Sequence, residues 1–583
     1  MLPKSITKFV KLLLILAPPL LIGLLIFSNG VDVPVLDEWD GTAPLFEKMA
    51  DGSLGFGDFY AQHNEHRIFF PRLIFFALGR LTHWDIRAEL WVIFLLTLVC
   101  LFNIWQTARR TNPADAFWIS FVASALLFNP QNVANFLWGF QIGFLLPLAC
   151  VTACIWTAPY LRHPFNFVAA IILCTICTFS IGGGFTSWLL ATPLLLLAQA
   201  RSTSSISRKW WATWVLLFCS QVLLFFWGYQ KPPNHPPVWW FLRHPIEAVE
   251  YILLFFGGPF SHGTNLSSIA VGLSIGGLLL VILLIAAFYI WAQRSDRGLF
   301  GNVLPWLVLA MVSLNYAILI MVGRAGLGPG QARAPRYLPF AVMLPIALLA
   351  ITPLIYRHWA PSTSTSRRML AKGAFAAAIL ILTFFTCAGS IASLPFWPTL
   401  RQLGAYQKSL VTFINVLPVT DELRDAVFPW PERVQASVNS LNRIGYLRPP
   451  LSRSNRISDI AIGVGQGVVG LFQFNDGEAG WINANGWAFL AKERRPPDAI
   501  LITFDNTVTN GNPQVCAIAP VGSSDEVENF RAVWDASALP STWKARFSRD
   551  RLPKGQHFYL QAWAFNADEN RAYRLPGDAF FLR

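Results

Sequence analysis

The sequence predicts a multi-pass α-helical membrane protein that ends in a separate all-β sandwich domain. Only 13% of the 583 residues are charged while 54% are hydrophobic, against roughly 25% charged in an ordinary soluble domain. Apolar runs close to the roughly 20 residues that cross a bilayer recur about eleven times before residue 395. After residue 456 the apolar runs shorten, turn residues separate them, and the pattern becomes that of strands.

Taken in order, the runs lie at 12–28, 88–107, 115–129, 135–157, 164–181, 184–199, 210–228, 264–292, 303–322, 337–356 and 373–395. The first follows a basic N-terminus, Met1 to Lys11, but no small-residue cleavage pattern comes after it. It therefore reads as a retained anchor helix rather than a signal sequence. Pro18 and Pro19 are tolerable inside it, because neighbouring groups in lipid can satisfy the freed carbonyls. The stretches 68–80 and 246–257 are too short to cross and are expected to be interfacial or re-entrant helices. The expected domains are a membrane domain over 1–395, a helical extracytoplasmic linker over 396–455 and a β-sandwich over 456–583. Runs such as DAILITFD, VCAIAPV and HFYLQAWAF supply the strands, separated by turns such as FNDGEAG, TNGNP and LPKGQ.

Orientation follows from lysine and arginine in alternate short loops. Lys4, Lys8, Lys11, Arg109, Arg110, Arg162, Arg201, Arg208, Lys209, Arg294, Arg297, Arg357, Arg367, Arg368 and Lys372 fall on one side, which is expected to be cytoplasmic. The N-terminus is then cytoplasmic, the C-terminal domain extracytoplasmic, and the location the plasma (inner) membrane. The net charge of +13 comes mostly from these loops and from outward arginines, with no basic stripe of the kind nucleic acid requires. Of eight cysteines only Cys516 lies outside the apolar spans. Cys150 with Cys154, and Cys174 with Cys177, have helical spacing but no histidine beside them, so they read as small buried hydrophobes rather than metal ligands.

The unusual polar chemistry falls on the outward loops. VDVPVLDEWDG follows the first span and carries Asp37, Glu38 and Asp40 beside Trp39. Carboxylates there can work at the membrane face, or can simply end a helix in solvent. Next comes QHNEHRIFFPRL, with His63, Glu65, His66 and Arg67. HNEH is not the HExxH pattern of zinc hydrolases, which leaves a metal pair, the polar groups of a substrate cleft, or the wet face of an interfacial helix. Asn132, Asn135, Trp138 and Gln141 combine amides with an indole, as a sugar site needs for hydroxyls and for an apolar ring face. An interfacial aromatic belt explains them equally well. Three glycines, Gly182 to Gly184, permit close backbone approach by a ligand or form a plain turn. Gly323 to Phe340 is glycine-rich and carries Arg324, Arg333 and Arg336 without any acid, followed by Tyr337. Guanidinium forks and backbone amides match phosphate, so this segment reads as an anion site at the bilayer surface. GQGVVG, Gly465 to Gly470, matches G-x-G-x-x-G but no helix follows, which argues against dinucleotide binding. Trp481, Trp487, Trp543 and Trp563 are either sandwich core or sugar-stacking surfaces.

With its many spans and an Asp-Glu pair, Asp37 and Glu38, just after the first helix, the chain resembles bacterial GT-C glycosyltransferases of the protein O-mannosyltransferase and aminoarabinose-transferase type. The likeness covers roughly residues 1–395. It extends to the NEHR, WGFQ and GRAGLG patterns and the RY pair of related membrane proteins, here Asn64 to Arg67, Trp138 to Gln141, Gly323 to Gly328 and Arg336 to Tyr337. The tail resembles accessory carbohydrate-binding-like domains appended to such enzymes. The resemblance implies a polyprenyl-phosphate-linked sugar donor, and a glycan, lipid or protein acceptor. On this reading Asp37 is the general base, Glu38 or Asp40 orients the acceptor, and the arginines, with Tyr337, hold the lipid phosphate. No cofactor is implied; a divalent metal is possible but not required. The competing readings are a transporter or flippase of lipid-linked saccharides, and a non-enzymatic polysaccharide assembly or binding protein. A transporter needs ionisable groups near mid-membrane, and the spans hold almost none.

Overall fold

The computed structural model describes residues 4–201, 207–233, 235–261, 266–463, 467–477, 480–505, 512–522, 542–553, 558–577 and 580–582. Gly465 of the G-x-G-x-x-G match, and parts of the turns expected at 474–480, 509–513 and 552–556, lie outside the described residues. The chain forms two compact units. One comprises Met1–Ser28, Phe56–Leu73 and Leu90–Leu394, the other Asn29–Gly55, Ile74–Glu89 and Pro395–Arg583.

The first unit is helical. Among the described residues eight helices are long and apolar enough to cross a membrane, beginning with Ile6–Asn29 and Ile86–Thr111. Eleven apolar runs therefore do not become eleven such helices. The run at 115–129 is a 12-residue helix, Ala116–Leu127, and those at 164–181 and 184–199 are Phe165–Thr178, with 14 residues, and Ser187–Arg201, with 15. Phe165–Thr178 stops where the triple glycine begins to turn, with Gly183 at φ 77°.

Burial sorts the spans. Within their apolar windows 78% of Gly139–Thr157 and 72% of Pro335–Trp359 is buried, against 17% of Ile6–Asn29. The outer helices leave Leu24, Phe27, Leu284, Phe288, Phe384 and Ile391 exposed. Apolar faces of that extent are stable in lipid rather than in water.

The short stretch expected to be interfacial or re-entrant at 246–257 is a helix, Pro245–Gly257, that buries Tyr251, Leu254, Phe255 and Phe256. It packs antiparallel on Leu266–Ala292 with the two backbones almost touching. A Cβ on Gly276 would lie 1.9 Å from the Leu253 carbonyl oxygen, and one on Gly257 1.8 Å from that of Gly272. Small residues spaced by four are what permit such approach between apolar helices. Gly277, the next residue, faces open space.

The second unit contains the helices Ala43–Asp51, Phe396–Thr412 and Pro431–Arg443, followed by the C-terminal β-sheet region. A hairpin in the first unit supplies β1 (Gln62–His63) and β2 (His66–Arg67). The remaining strands are β3 (Ala461–Ile462), β4 (Val468–Asp476), β5 (Trp481–Leu490), β6 (Ala499–Asp505), β7 (Gln514–Ala519), β8 (Thr542–Ser548), β9 (Phe558–Asn566), β10 (Arg571–Arg574) and β11 (Phe580–Leu582). One sheet runs β3-β10-β9-β6-β7 with β11 on β9, and the other runs β4-β5-β8. All pairs are antiparallel except β3 with β10. Phe472, Ile482, Trp543 and Phe547 of the smaller sheet share one core with Ile500, Ile502, Leu560 and Ala564 of the larger.

Strand β6 is buried along almost its whole length, so its sheet is covered on both faces, whereas β5 alternates between exposed and buried. The helix Phe396–Thr412 helps cover the larger sheet. Phe413, just after it, meets Phe565 with ring centroids 5.7 Å apart; Gln402 donates to the Pro497 carbonyl at 2.5 Å; and Lys408 pairs with Asp568 at 2.6 Å. The segment expected as a linker is thus packed against the strands.

Two outcomes follow from this packing. Gly276→Ala should lower the thermal stability of the detergent-purified protein, while Gly277→Ala should leave it unchanged or slightly raised, since alanine favours helix by about 1 kcal/mol over glycine; equal melting curves would remove the close-approach argument. A fragment 396–583 should melt above a fragment 456–583 by circular dichroism, and Phe413→Ala in the longer one should cost about 3 to 5 kcal/mol.

Candidate functional site

In the helical unit the polar segments converge around the hairpin. Gln62 pairs with Arg67 and His63 with His66, and the turn between them is made by Asn64, at φ 48°, and Glu65. Asparagine tolerates that left-handed conformation better than most residues. Arg67 anchors the hairpin. Its Nε donates to the Phe225 carbonyl at 2.8 Å, Nη1 to that of Tyr60 at 3.1 Å and Nη2 to that of Trp227, and the guanidinium lies 4.6 Å from the Tyr60 ring centroid. These contacts cap the C-terminal end of the helix Arg208–Phe226, where orphan carbonyls favour a cation. His63 is buried with its ring 5.0 Å from that of Phe140.

Glu65 at the turn is the centre of the cluster. Its Oε1 lies 2.7 Å from Arg324 Nη2 and 3.6 Å from His66 Nε2, and its Oε2 lies 3.5 Å from His235 Nε2. Burial works against this carboxylate, but His66, Arg324 and His235 outweigh it and hold its pKa down at about 2. His66 Nδ1 accepts the backbone N–H of Gly182 at 2.6 Å. That bond requires a lone pair on Nδ1, so the ring is neutral with its proton on Nε2, facing Glu65. Burial agrees, pushing the His66 pKa below the usual 6.5, and does the same to His235. With the imidazoles neutral, the Arg324 guanidinium is the partner that counts for Glu65 near pH 7. At the triple glycine it is this hairpin that approaches the backbone, for a Cβ on Gly182 would lie 2.8 Å from His66 Nδ1.

The amide segment joins the same region. Asn129 accepts from the Gln131 backbone N–H at 2.8 Å, Asn132 donates to the Leu127 carbonyl at 3.1 Å, and Asn135 donates to the Pro335 carbonyl at 2.6 Å. The last bond ties this turn to the arginine loop. The Trp138 ring lies 6.2 Å from that of Phe140. The Trp138 Nε1 and both amide atoms of Gln141 are buried without a hydrogen-bond partner among the described residues. Such atoms are costly unless something else meets them.

The arginine loop is three short 3-10 turns, Ala325–Leu327, Pro329–Arg333 and Pro335–Tyr337. Arg324 is committed to Glu65. Arg336 Nη2 donates to Gln331 Oε1 at 3.2 Å and its guanidinium lies 5.0 Å from the ring centroid of buried Tyr337. Arg333 Nη1 donates to Ser268 Oγ at 2.9 Å, its Nε is buried without a hydrogen-bond partner, and no carboxylate pairs with it among the described residues. Burial pushes its pKa down, with no anion to offset the cost.

No protein-family model and no curated protein matches the chain.

The three acids after the first span belong to the second unit. Asp37 stands at the start of a single helical turn, Glu38–Gly41, and is partly buried. Glu38 is fully buried and its Oε2 accepts the Val35 backbone N–H at 2.7 Å; Asp40 lies 3.8 Å from Arg433. Trp39 between them donates its indole N–H to the Pro34 carbonyl at 2.8 Å. Glu89, a second fully buried acid, accepts the Trp84 indole N–H at 3.1 Å and is within electrostatic reach of Glu38. Among the described residues no group of three or more His, Cys, Asp or Glu side chains is placed to hold a metal ion.

The sequence reading did not single out His235 or Glu89. His235 sits in the proline-rich loop YQKPPNHPP, and a histidine amid prolines was its only signal. Glu89 sits four residues into an apolar helix, where an acid is unexpected.

The neutral state of His66 makes a pH prediction. Its folded pKa lies below its unfolded value, so its stabilising contribution is complete above about pH 6.5 and falls away as pH drops below that. The Glu65 contribution has the same sign but is lost only between its usual 4.5 and about 2. Thermal melts in detergent should therefore fall between pH 7.5 and pH 5, and His66→Gln, which keeps an acceptor for Gly182, should flatten that fall. A wild-type melting temperature independent of pH over this range would overturn the tautomer assignment.

Proposed function

We propose that the protein transfers a sugar from a polyprenyl-phosphate-linked donor to a glycan, lipid or protein acceptor at the extracytoplasmic face of the membrane. The observation that carries the reading is Arg333, a guanidinium partly withdrawn from water whose buried Nε meets no acceptor, and which faces no carboxylate, among the described residues. A phosphate oxygen supplies both the missing acceptor and the missing charge. Around it the loop offers Arg336 and Tyr337, and the Asn135 bond to Pro335 ties the loop to the turn that precedes Trp138 and Gln141. Unsatisfied polar atoms of that kind suit sugar hydroxyls.

The reaction needs a proton acceptor and a stabilised leaving group. The acceptor oxygen attacks the anomeric carbon, its proton passes to a carboxylate, and the lipid phosphate leaves with the bonding electrons, so the anomeric configuration inverts. Glu65 is a poor base near neutral pH, because against its burial His66, Arg324 and His235 hold its pKa down at about 2. The resemblance assigns the base to Asp37, with Glu38 or Asp40 orienting the acceptor. A flippase draws support from one observation, the buried acid Glu89, but that group sits near a helix end bonded to Trp84 rather than along a polar path.

Purified protein in lipid nanodiscs, with a polyprenyl-phosphate hexose as donor, tests the reading. Asp37→Asn should lower single-turnover transfer by roughly 10² to 10⁴ while donor binding holds. Arg333→Ala should weaken donor binding, and Arg333→Lys should restore only part of it, since an ammonium lacks the planar fork. Unchanged donor affinity in Arg333→Ala would overturn the anion site, and full transfer by Asp37→Asn would remove that residue from the chemistry.

A further inference from the structure

The smaller β-sheet has an outward face that the proposed reaction does not use. Along β5 the residues Trp481, Asn483, Asn485 and Trp487 alternate with buried Ile482, Ala484 and Ala488, so all four project from one face. Trp481 and Trp487 are 38% and 36% exposed, whereas Trp543 and Trp563 are buried. The register places Arg546 of β8 opposite Asn483 and Lys544 opposite Asn485. Arg546 lies 4.8 Å from the Trp481 ring centroid. Among the described residues neither cation has a carboxylate partner.

These six side chains form a row. Two indoles stand six residues apart on one strand, about 20 Å at the rise of a strand, and amides and cations fill the space between them. An exposed indole is an apolar plate that a pyranose ring can cover; the amides offer paired donors and acceptors for hydroxyls. The two unpaired cations add a preference for negative charge. A neutral glycan leaves them unused. A single-stranded nucleic acid needs a longer basic track along its backbone than two side chains give.

We propose that this face of β5 and β8 binds an acidic polysaccharide, a chain of uronate-type sugars whose rings stack on Trp481 and Trp487 and whose carboxylates meet Lys544 and Arg546. The site is independent of the transfer chemistry proposed above. It would hold a polymer through several weak contacts in series, with the indoles supplying affinity and the cations supplying selectivity and salt dependence.

The test uses the full chain in nanodiscs and biolayer interferometry against immobilised polygalacturonate, dextran and an oligothymidylate. Wild type should bind polygalacturonate in preference to both other probes, and weaken as salt rises. Trp487→Ala should reduce polygalacturonate binding roughly tenfold. The pair Lys544→Gln with Arg546→Gln should abolish both the preference over dextran and the salt dependence. Because all these side chains are on the surface, Trp487→Phe, which keeps a ring, serves as a folded control and should retain most of the binding. Absent binding to polygalacturonate, tighter binding to the oligothymidylate, or a Trp487→Ala variant that binds like wild type would each overturn the proposal.

Discussion

The polar end of the helical unit depends on one ion pair, Glu65 with Arg324, whose atoms lie 2.7 Å apart. A carboxylate withdrawn from water among helices is unfavourable until a cation and hydrogen bonds replace its solvent. Arg324 does that from the last residue of a 28-residue helix, and Glu65 meets it from the tip of a two-residue turn. The pair therefore joins segments 259 residues apart in sequence. Its other consequence is for Arg333. With Glu65 committed to Arg324, the charge of Arg333 has no carboxylate counter-ion among the described residues, which is the condition an anion-binding arginine requires.

Much of the architecture is legible in the sequence because lipid imposes a length. Runs such as 264–292 and 303–322 become Leu266–Ala292 and Arg297–Arg324. The shorter runs are harder to read, for a physical reason. Ala116–Leu127 buries Ile119, Ala123 and Leu126 against the protein itself, so its apolar character reports packing as much as lipid. Hydropathy alone does not separate the two. Strands β6, β7 and β9 fall on DAILITFD, VCAIAPV and HFYLQAWAF, since runs of β-branched, aromatic and small apolar residues between turns have few other solutions.

The candidate site was legible as a set of segments but not as a geometry. NEHR, WGFQ and the arginine loop each announce polar chemistry, yet nothing in their order says that Arg67 faces helix carbonyls while Glu65, one turn of the hairpin away, faces Arg324. That distinction comes from the hairpin, which sets Glu65 at its turn and Arg67 on β2, and strands of two residues leave no periodic signal. The tryptophans of the β region teach the same lesson. Trp481 and Trp487 share the outward parity of β5, and Trp543 has the inward parity of β8, but parity has meaning only once the register is known.

The acids after the first span rest on a backbone that few residues tolerate. His83 and Trp84 both have positive φ, 55° and 57°, a conformation that costs a non-glycine residue roughly 1 to 2 kcal/mol. Packing holds it in place. Trp84 is 1% exposed, its ring meets Trp39 edge-on at 6.4 Å and Phe46 at 5.0 Å, its indole N–H bonds to Glu89, and its backbone N–H donates to the Gly79 carbonyl at 3.0 Å. Trp39 is fixed from the other side by its bond to Pro34. The turn carrying Asp37, Glu38 and Asp40 is therefore built around an indole that cannot move without breaking this packing, and a carboxylate on such a turn is presented in one orientation rather than many. A solvated acidic loop needs none of that support.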